Sequence, residues 1–488
     1  MRKPVLRAVR FLSLFLLFTT FAPLSASADK LLYDQWMEVF MNGQKIGFSH
    51  MEATATDAGY SMNSKSVMRL DVGGSAVEIS ASQSSFLDKS FRPLRFTYMQ
   101  KELNHQQFFD GVVEGKKINV TVKSGGNTSQ KTVDFGDQVY ISDAMGLLLG
   151  QKKLEEGKKF EYRVFIEPLL ATEAISVETG KRTELEIGGK KIPVTPVTMR
   201  FKNFLTVSYF SDEGRIVREI SPMGFVSDEV DEARAVNFSG GVMSFTTLLS
   251  FSLIPLEKPL EKADKITSFK VRLSGLGSKG LLPQDDRQKI TKEEKSGKNG
   301  GEFSVELSVQ KNNRAKIIKA GLPASATKFA AEMAPSLEAQ SDDPAIKEQA
   351  KKIIGDETDL FRAALKINRW VYEHVEKKYL DTFSAVETLK TMEGECQAHT
   401  NLFTALARSV GIPTRTVSGI VYAEGFNGFL YHAWPEVYAG EWVAMDPTFG
   451  QEVADATHIK LLSGELGTQL QLFEFLGKIR MEILHVER

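Results

Sequence analysis

Cys396 is the only cysteine in 488 residues. It stands in Gly394-Glu395-Cys396-Gln397-Ala398-His399, directly ahead of an apolar helical pattern. A lone thiol forms no internal disulfide, so it is an inert core residue, an intermolecular crosslinker or a nucleophile. Its place favours the last. The first turn of a helix offers unpaired backbone N–H groups and the positive end of the helix dipole. These stabilise a thiolate and would equally hold the oxyanion that forms when sulfur attacks a carbonyl. Gly394 permits a tight entry and close approach of a substrate. An inert cysteine would sit more naturally on the apolar stripe in mid-helix.

A cysteine nucleophile needs a base and a group that orients the base. The stretch Tyr431 to Gln451, YHAWPEVYAGEWVAMDPTFGQ, offers His432 and Asp446 on consecutive expected strands. Directly opposed residues of an antiparallel pair share a face. Residue 439 lies midway between these two, which predicts a three-residue turn at Tyr438-Ala439-Gly440 with Gly440 left-handed. The carboxylate would then fix the tautomer of the imidazole. His399 is a rival, since it follows Cys396 by three residues and could touch the thiol or complete a Cys-x-x-His metal pair. Zinc would need a second ligand pair, and calcium an acidic loop of alternating Asp and Asn. The sequence offers neither at suitable spacing, so no metal and no cofactor is assigned. Trp370 and Trp434 read as core, with Trp434 on the strand face of His432.

The elements around these residues follow from periodicity. Ser341-Asp342-Asp343-Pro344 is a helix start, and Ile346, Ala350 and Ile353 line one face as far as Gly355. A longer helix carries Leu360, Ala364, Ile367 and Val371 and reaches about Tyr379. A third begins at Cys396 and stops at Gly411-Ile412-Pro413. Strands follow at 414–423, 430–438 and 442–445. Upstream, Leu31 to Gly240 has a period of two, with clean alternation at Lys117–Lys123 and Phe160–Ile166. A hairpin turns there at Gly188-Gly189, and one helical interruption falls near Ser142–Leu154. Leu256–Lys265 reads as a charged linker, Lys289–Gly301 as a long solvated loop, and Glu302–Gln310 as a strand. The chain therefore divides into residues 29–255, a β-rich domain; 256–325, linker and small β-segment; and 326–488, the domain of the cysteine.

Residues 1–28 read as a secretory signal peptide, with Arg2, Lys3, Arg7 and Arg10 before the apolar run Phe11–Leu24, then Ala26-Ser27-Ala28. Its removal takes four positive charges from a formal net charge of −1 and leaves −5, which argues against a nucleic-acid partner. No second stretch reads as a membrane span; Val242–Leu256 is apolar but carries Ser, Thr and Pro255, which suits a core. A single cysteine fits an exported envelope protein, periplasmic or extracellular, that relies on its core instead of disulfides.

The C-terminal third resembles the transglutaminase-like superfamily of cysteine amide-processing enzymes. The resemblance is carried by Gly394-Glu395-Cys396, His432-Ala433-Trp434-Pro435-Glu436-Val437 and Asp446-Pro447-Thr448, in that order, with Ala407–Pro413 at the helix exit. It implies an α+β, papain-like domain in which the nucleophile at a helix N-terminus packs on an antiparallel sheet, within a multidomain chain. It further implies Cys396 as nucleophile, His432 as general base and Asp446 as its orienting partner. The activity expected is a peptidase, amidase or transamidase working through a thioester on a protein, peptide or peptidoglycan-type amide. The other reading is a non-enzymatic envelope protein whose β-rich region binds a protein, glycan or lipid, with the C-terminal domain as scaffold.

Overall fold

The computed structural model describes residues 29–488, except 73–74, 103–104, 125–126, 202–203, 222–223, 239–242, 245–251, 277–281, 297–301, 318, 326, 379–383 and 465–476. The signal-peptide reading and most of Val242–Leu256 lie outside the described residues. No helix among the described residues is long and apolar enough to cross a membrane.

The chain is multidomain. Its N-terminal region is one large, mainly antiparallel sheet. From Asn127–Asp134 each strand pairs with the one before it in sequence, back to Lys30–Met41. Lys30–Met41 also pairs with Phe225–Val230, from which the ladder runs on to Lys159–Ile166. Alternation supplies the core face: Lys117–Ser124 buries Ile118, Val120 and Val122 while Lys117, Asn119 and Lys123 face water. Distant strands meet across that core, where the Phe96 and Phe165 rings lie 5.6 Å apart and those of Phe135 and Phe165 6.0 Å. The expected interruption is a short helix, Met145–Gly150, that buries Leu147, Leu148 and Leu149. The expected hairpin turns at Gly188 and Gly189, whose φ of 58° and 77° glycine adopts without strain.

Two stretches differ from the sequence reading. The expected loop Lys289–Gly301 is largely a strand, Gln288–Ser296, paired with Glu302–Gln310. Charged side chains on a solvated strand face hid its period. Ser268–Ser274 pairs with the other edge of Glu302–Gln310, and Arg480–Glu487 completes this small sheet. The expected linker Leu256–Lys265 is docked: Leu260 is buried and its N–H donates to Tyr422 Oη at 3.0 Å.

The C-terminal helices are α1 (Pro344–Ile354), α2 (Leu360–His374), α3 (Ala385–Thr391) and α4 (Cys396–Ser409). Asp343 and Asp359 cap the first two by accepting from Ala345 N at 2.8 Å and Arg362 N at 2.9 Å. α2 ends at His374, short of Tyr379, because Val375 turns extended and leads into the strand Glu376–Lys377. Behind the helices lie β1 (Thr414–Ala423), β2 (Gly428–Tyr438), β3 (Trp442–Ala444) and β4 (Ile459–Ser463). β4 pairs with β1, and Ile254–Pro255 pairs with β2; the sequence reading found neither pairing. α4 is the central helix. Leu402, Phe403 and Leu406 are fully buried in a core shared with Ile367, Val371, Val437 and Met445, each such burial contributing about 1.5–3 kcal/mol. That packing fixes where the first turn of α4, and so Cys396, must sit.

Candidate active site

Glu393–Gly394 pairs in parallel with Glu376–Lys377, so the chain enters α4 from a short, anchored ladder. Gly394 has φ of 153°, which side-chain-bearing residues rarely adopt. Glu395 is the N-cap, and its side chain makes no cap hydrogen bond to the first turn. Cys396 is the first helical residue and is half-buried.

His432 lies on β2, near enough to Cys396 for the thiol to favour its protonated ring. Its Nε2 lies 2.8 Å from Asp446 Oδ2, which leaves Nδ1 for the sulfur. The three residues therefore converge, by a different register from the one expected. Tyr438 pairs with Trp442, so the turn is Ala439-Gly440-Glu441, with Gly440 at φ of 92°. Asp446 is consequently not opposite His432 in the ladder. β3 ends at Ala444, the chain lifts away, and Asp446 pairs its backbone with Gln451. Thr448 and Phe449 N–H donate to Asp446 Oδ1 at 2.7 and 3.0 Å, which aims Oδ2 at the ring.

These contacts set the charges. Burial pushes the His432 imidazolium toward neutrality, but Asp446 and Cys396 outweigh it and carry the pKa up to about 10. Burial likewise works against the Asp446 carboxylate, yet His432 and His458 hold it far below the usual carboxylate range. Phe449, partly exposed, stacks flat on His432 with ring centroids 4.7 Å apart. Trp434 is fully buried, stacks on the same ring at 6.2 Å, and meets His458 edge-on at 5.2 Å. Gly419 is opposite His432, and a Cβ there would lie 2.7 Å from the Trp434 ring and 2.0 Å from the Ile459 carbonyl oxygen.

His399 does not rival His432. Its ring nitrogens lie 2.9 Å from the Glu395 carbonyl and 3.3 Å from the Val375 carbonyl, and burial lowers its pKa. Its contacts are those of a structural tie between the end of α2 and the start of α4. Trp370 stacks on His374 at 4.7 Å.

The sequence reading missed His458. It is fully buried, with Nε2 3.0 Å from Asp446 Oδ2 and Nδ1 3.2 Å from Asp455 Oδ1. Nothing periodic marks it, and the only available signal was a histidine three residues after an aspartate just before β4. His432, Asp446 and His458 bring metal-ligand atoms within 4.8 Å of one another. Their contacts have hydrogen-bond lengths, however, and both oxygens of Asp446 are already taken, so protons account for the arrangement. Behind them, Glu436 accepts from Lys460 Nζ at 2.9 Å and from Arg415 Nε at 2.7 Å.

A profile of the transglutaminase-like superfamily matches residues 347–447, and one of a protein family of unknown function (DUF3108) matches residues 36–223. No curated protein matches the chain significantly. Among solved structures, a candidate cysteine protease from Cytophaga hutchinsonii is 18% identical, covering 46% of this chain and 90% of that one at a TM-score of 0.32. A β-barrel-like protein of a domain of unknown function (DUF1849) from Brucella abortus is 16% identical, covering 41% and 95% at 0.33. At such TM-scores neither likeness bears on this fold.

Proposed function

Residues 347–447 form a transglutaminase-like domain, and on that footing we propose that the protein is an exported cysteine enzyme that cleaves or exchanges amide bonds. The observation that carries the reading is the His432–Asp446 hydrogen bond beside Cys396 at the start of α4. The thiol proton passes to His432 Nδ1, and the sulfur attacks the amide carbonyl while first-turn N–H groups of α4 receive the oxyanion. The C–N bond then breaks as the imidazolium gives its proton to the departing amine, leaving a thioester on Cys396. Water attacks that thioester, His432 takes the water's proton, and the acid leaves. An amine in place of water gives transamidation. Asp446 stays ionised and holds the ring in the useful tautomer. Peptides and peptidoglycan stems are the amides an envelope protein meets, so hydrolysis is the outcome proposed.

Mass spectrometry of the full chain after incubation with envelope extract tests this. An acyl adduct on Cys396, absent from His432→Gln, is expected. No adduct, together with a thiol that reacts with iodoacetamide no faster than free cysteine, would overturn it.

A second reading concerns the N-terminal region, where a cavity of about 320 Å³ is lined by Tyr33, His50, Gln83, Tyr98, Asp143 and Glu219, among others. That cavity favours a ligand-binding role for the β-rich region beside the enzyme. Calorimetry of the full chain with envelope glycans and peptides would show whether Asp143→Asn alters binding.

A further inference from the structure

His458 sits where both ring nitrogens face carboxylate oxygens. Asp446 Oδ1 takes the Thr448 and Phe449 N–H groups, and its Oδ2 is left for the two histidines. Asp455 is equally committed: Oδ1 accepts from Thr457 N at 2.8 Å and Thr457 Oγ1 at 2.6 Å, and Oδ2 accepts from Gln451 Nε2 at 2.7 Å. Two carboxylates that only accept require two N–H donors, and imidazole has two only when protonated. His458 is therefore a buried cation.

The small sheet holds it there. Arg287, fully buried, donates to the His458 and Asp455 carbonyls at 2.6 Å each. Gln288 Nε2 donates to the Lys460 carbonyl at 2.8 Å, and Lys460 N–H donates to Gln288 Oε1 at 2.8 Å. The charged or titratable groups facing His458 are thus Asp455 on its own segment, Asp446 after β3, His432 on β2 and Arg287 from the small sheet. The other rings against it, Trp434 and Phe449, carry no charge.

We propose that His458 is a positioning residue for the cysteine nucleophile: an imidazolium, clamped between Asp446 and Asp455, that aims Asp446 at His432 and places a positive charge behind the reacting pair. The proposal rests on the reading of Cys396 as nucleophile. Its electrostatic consequence has a definite sign. A cation near the thiol and the imidazolium favours losing a proton from each. The His432 and His458 ring centroids lie 6.0 Å apart, a distance at which one buried charge moves a neighbouring pKa by about one to two pH units.

The test is the rate of Cys396 alkylation by iodoacetamide against pH, on the full chain and on His458→Gln, which keeps an N–H donor but loses the charge. The wild-type profile should show two inflexions, one for forming the thiolate–imidazolium pair and one for losing the imidazolium proton. In His458→Gln both should move to higher pH by about one to two units. A residue that merely props up Asp446 would, when replaced, move the upper inflexion down, because His432 would lose its anion. That result, or no movement, overturns the proposal. Should His458→Gln fail to fold, ring ¹⁵N spectra of the wild-type chain at neutral pH decide. The His458 ring should be doubly protonated among the seven histidines; a neutral His458 ring overturns it. A wild-type rate that simply tracks free cysteine would sink the nucleophile reading itself, and this inference with it.

Discussion

Asp446→Asn is the sharpest probe of the site, because the surrounding hydrogen bonds dictate how an amide must sit there. Thr448 and Phe449 N–H groups claim the oxygen at the Oδ1 position, so the new NH₂ points at His432 and His458. Each ring must then offer an unprotonated Nε2. For His432 that shifts the proton to Nδ1, facing the sulfur, where it cannot act as a base. The magnitude follows from the shift that the native contacts impose, from 6.5 to about 10. That is roughly three and a half units, on the order of 5 kcal/mol. Asp446 and Cys396 share this, and if Asp446 supplies half, its loss removes about 2–3 kcal/mol of imidazolium stabilisation, or about 100-fold in thiolate at neutral pH. Iodoacetamide alkylation followed by intact-mass spectrometry should therefore be about 100-fold slower at pH 6–7. The gap should close toward pH 9, where an ordinary thiol, with a pKa of about 8.5, ionises unaided. Circular dichroism should show the fold retained. A variant that keeps the wild-type profile would refute the claim that Asp446 governs His432.

Other expectations follow from the same charges and from those of the neighbouring sheets. The His432 pKa is raised, so its contribution to stability is complete below about pH 6.5 and is lost as pH rises toward 10; the melting temperature should fall over that window, and less so in His432→Gln. Asp446 has the opposite sign, with its contribution present above about pH 4 and lost only in strong acid. Lys460 is fully buried against Glu436 and Asp285, so Lys460→Met should cost about 3–5 kcal/mol in urea unfolding. The double change with Glu436→Leu should recover part of that, and no recovery would mean the pair is uncoupled. Buried Glu167, pushed up to about 7 by desolvation, holds a proton that the unfolded chain has already lost above about pH 4.5. Stability therefore falls as pH rises through that window, and Glu167→Gln should gain up to about 3 kcal/mol at pH 8. That gain should vanish near pH 4.5, and an equal gain at both pH values would contradict the cause.

Much of the C-terminal domain was legible because its signals are local. Asp343-Pro344 and Gly355 bracket α1, the stripe through Ile367 and Val371 marks α2, and strands β1 to β3 fall close to the expected bounds. Cys396, His432 and Asp446 were found by type and order, and the structure brings them together. The exact turn was not legible, since a one-residue change at Gly440 alters the register without altering the pattern. Hidden altogether were features made by distant pairing. The docking of Leu260, the joining of Ile254–Pro255 to β2 and the seat of His458 between two carboxylates each depend on segments remote in sequence. The strand Gln288–Ser296 was lost for a different reason, its lysines and glutamates resembling a solvated loop.

The small sheet takes its edge strand, Arg480–Glu487, from beyond β4 in chain order. A ribosome therefore makes Cys396, His432 and Asp446 before it makes the strand that closes one edge of the small sheet. Until Arg480–Glu487 is made, the outer edge of Ser268–Ser274 has no ladder partner, so the small sheet is completed only after the C-terminal sheet it packs against.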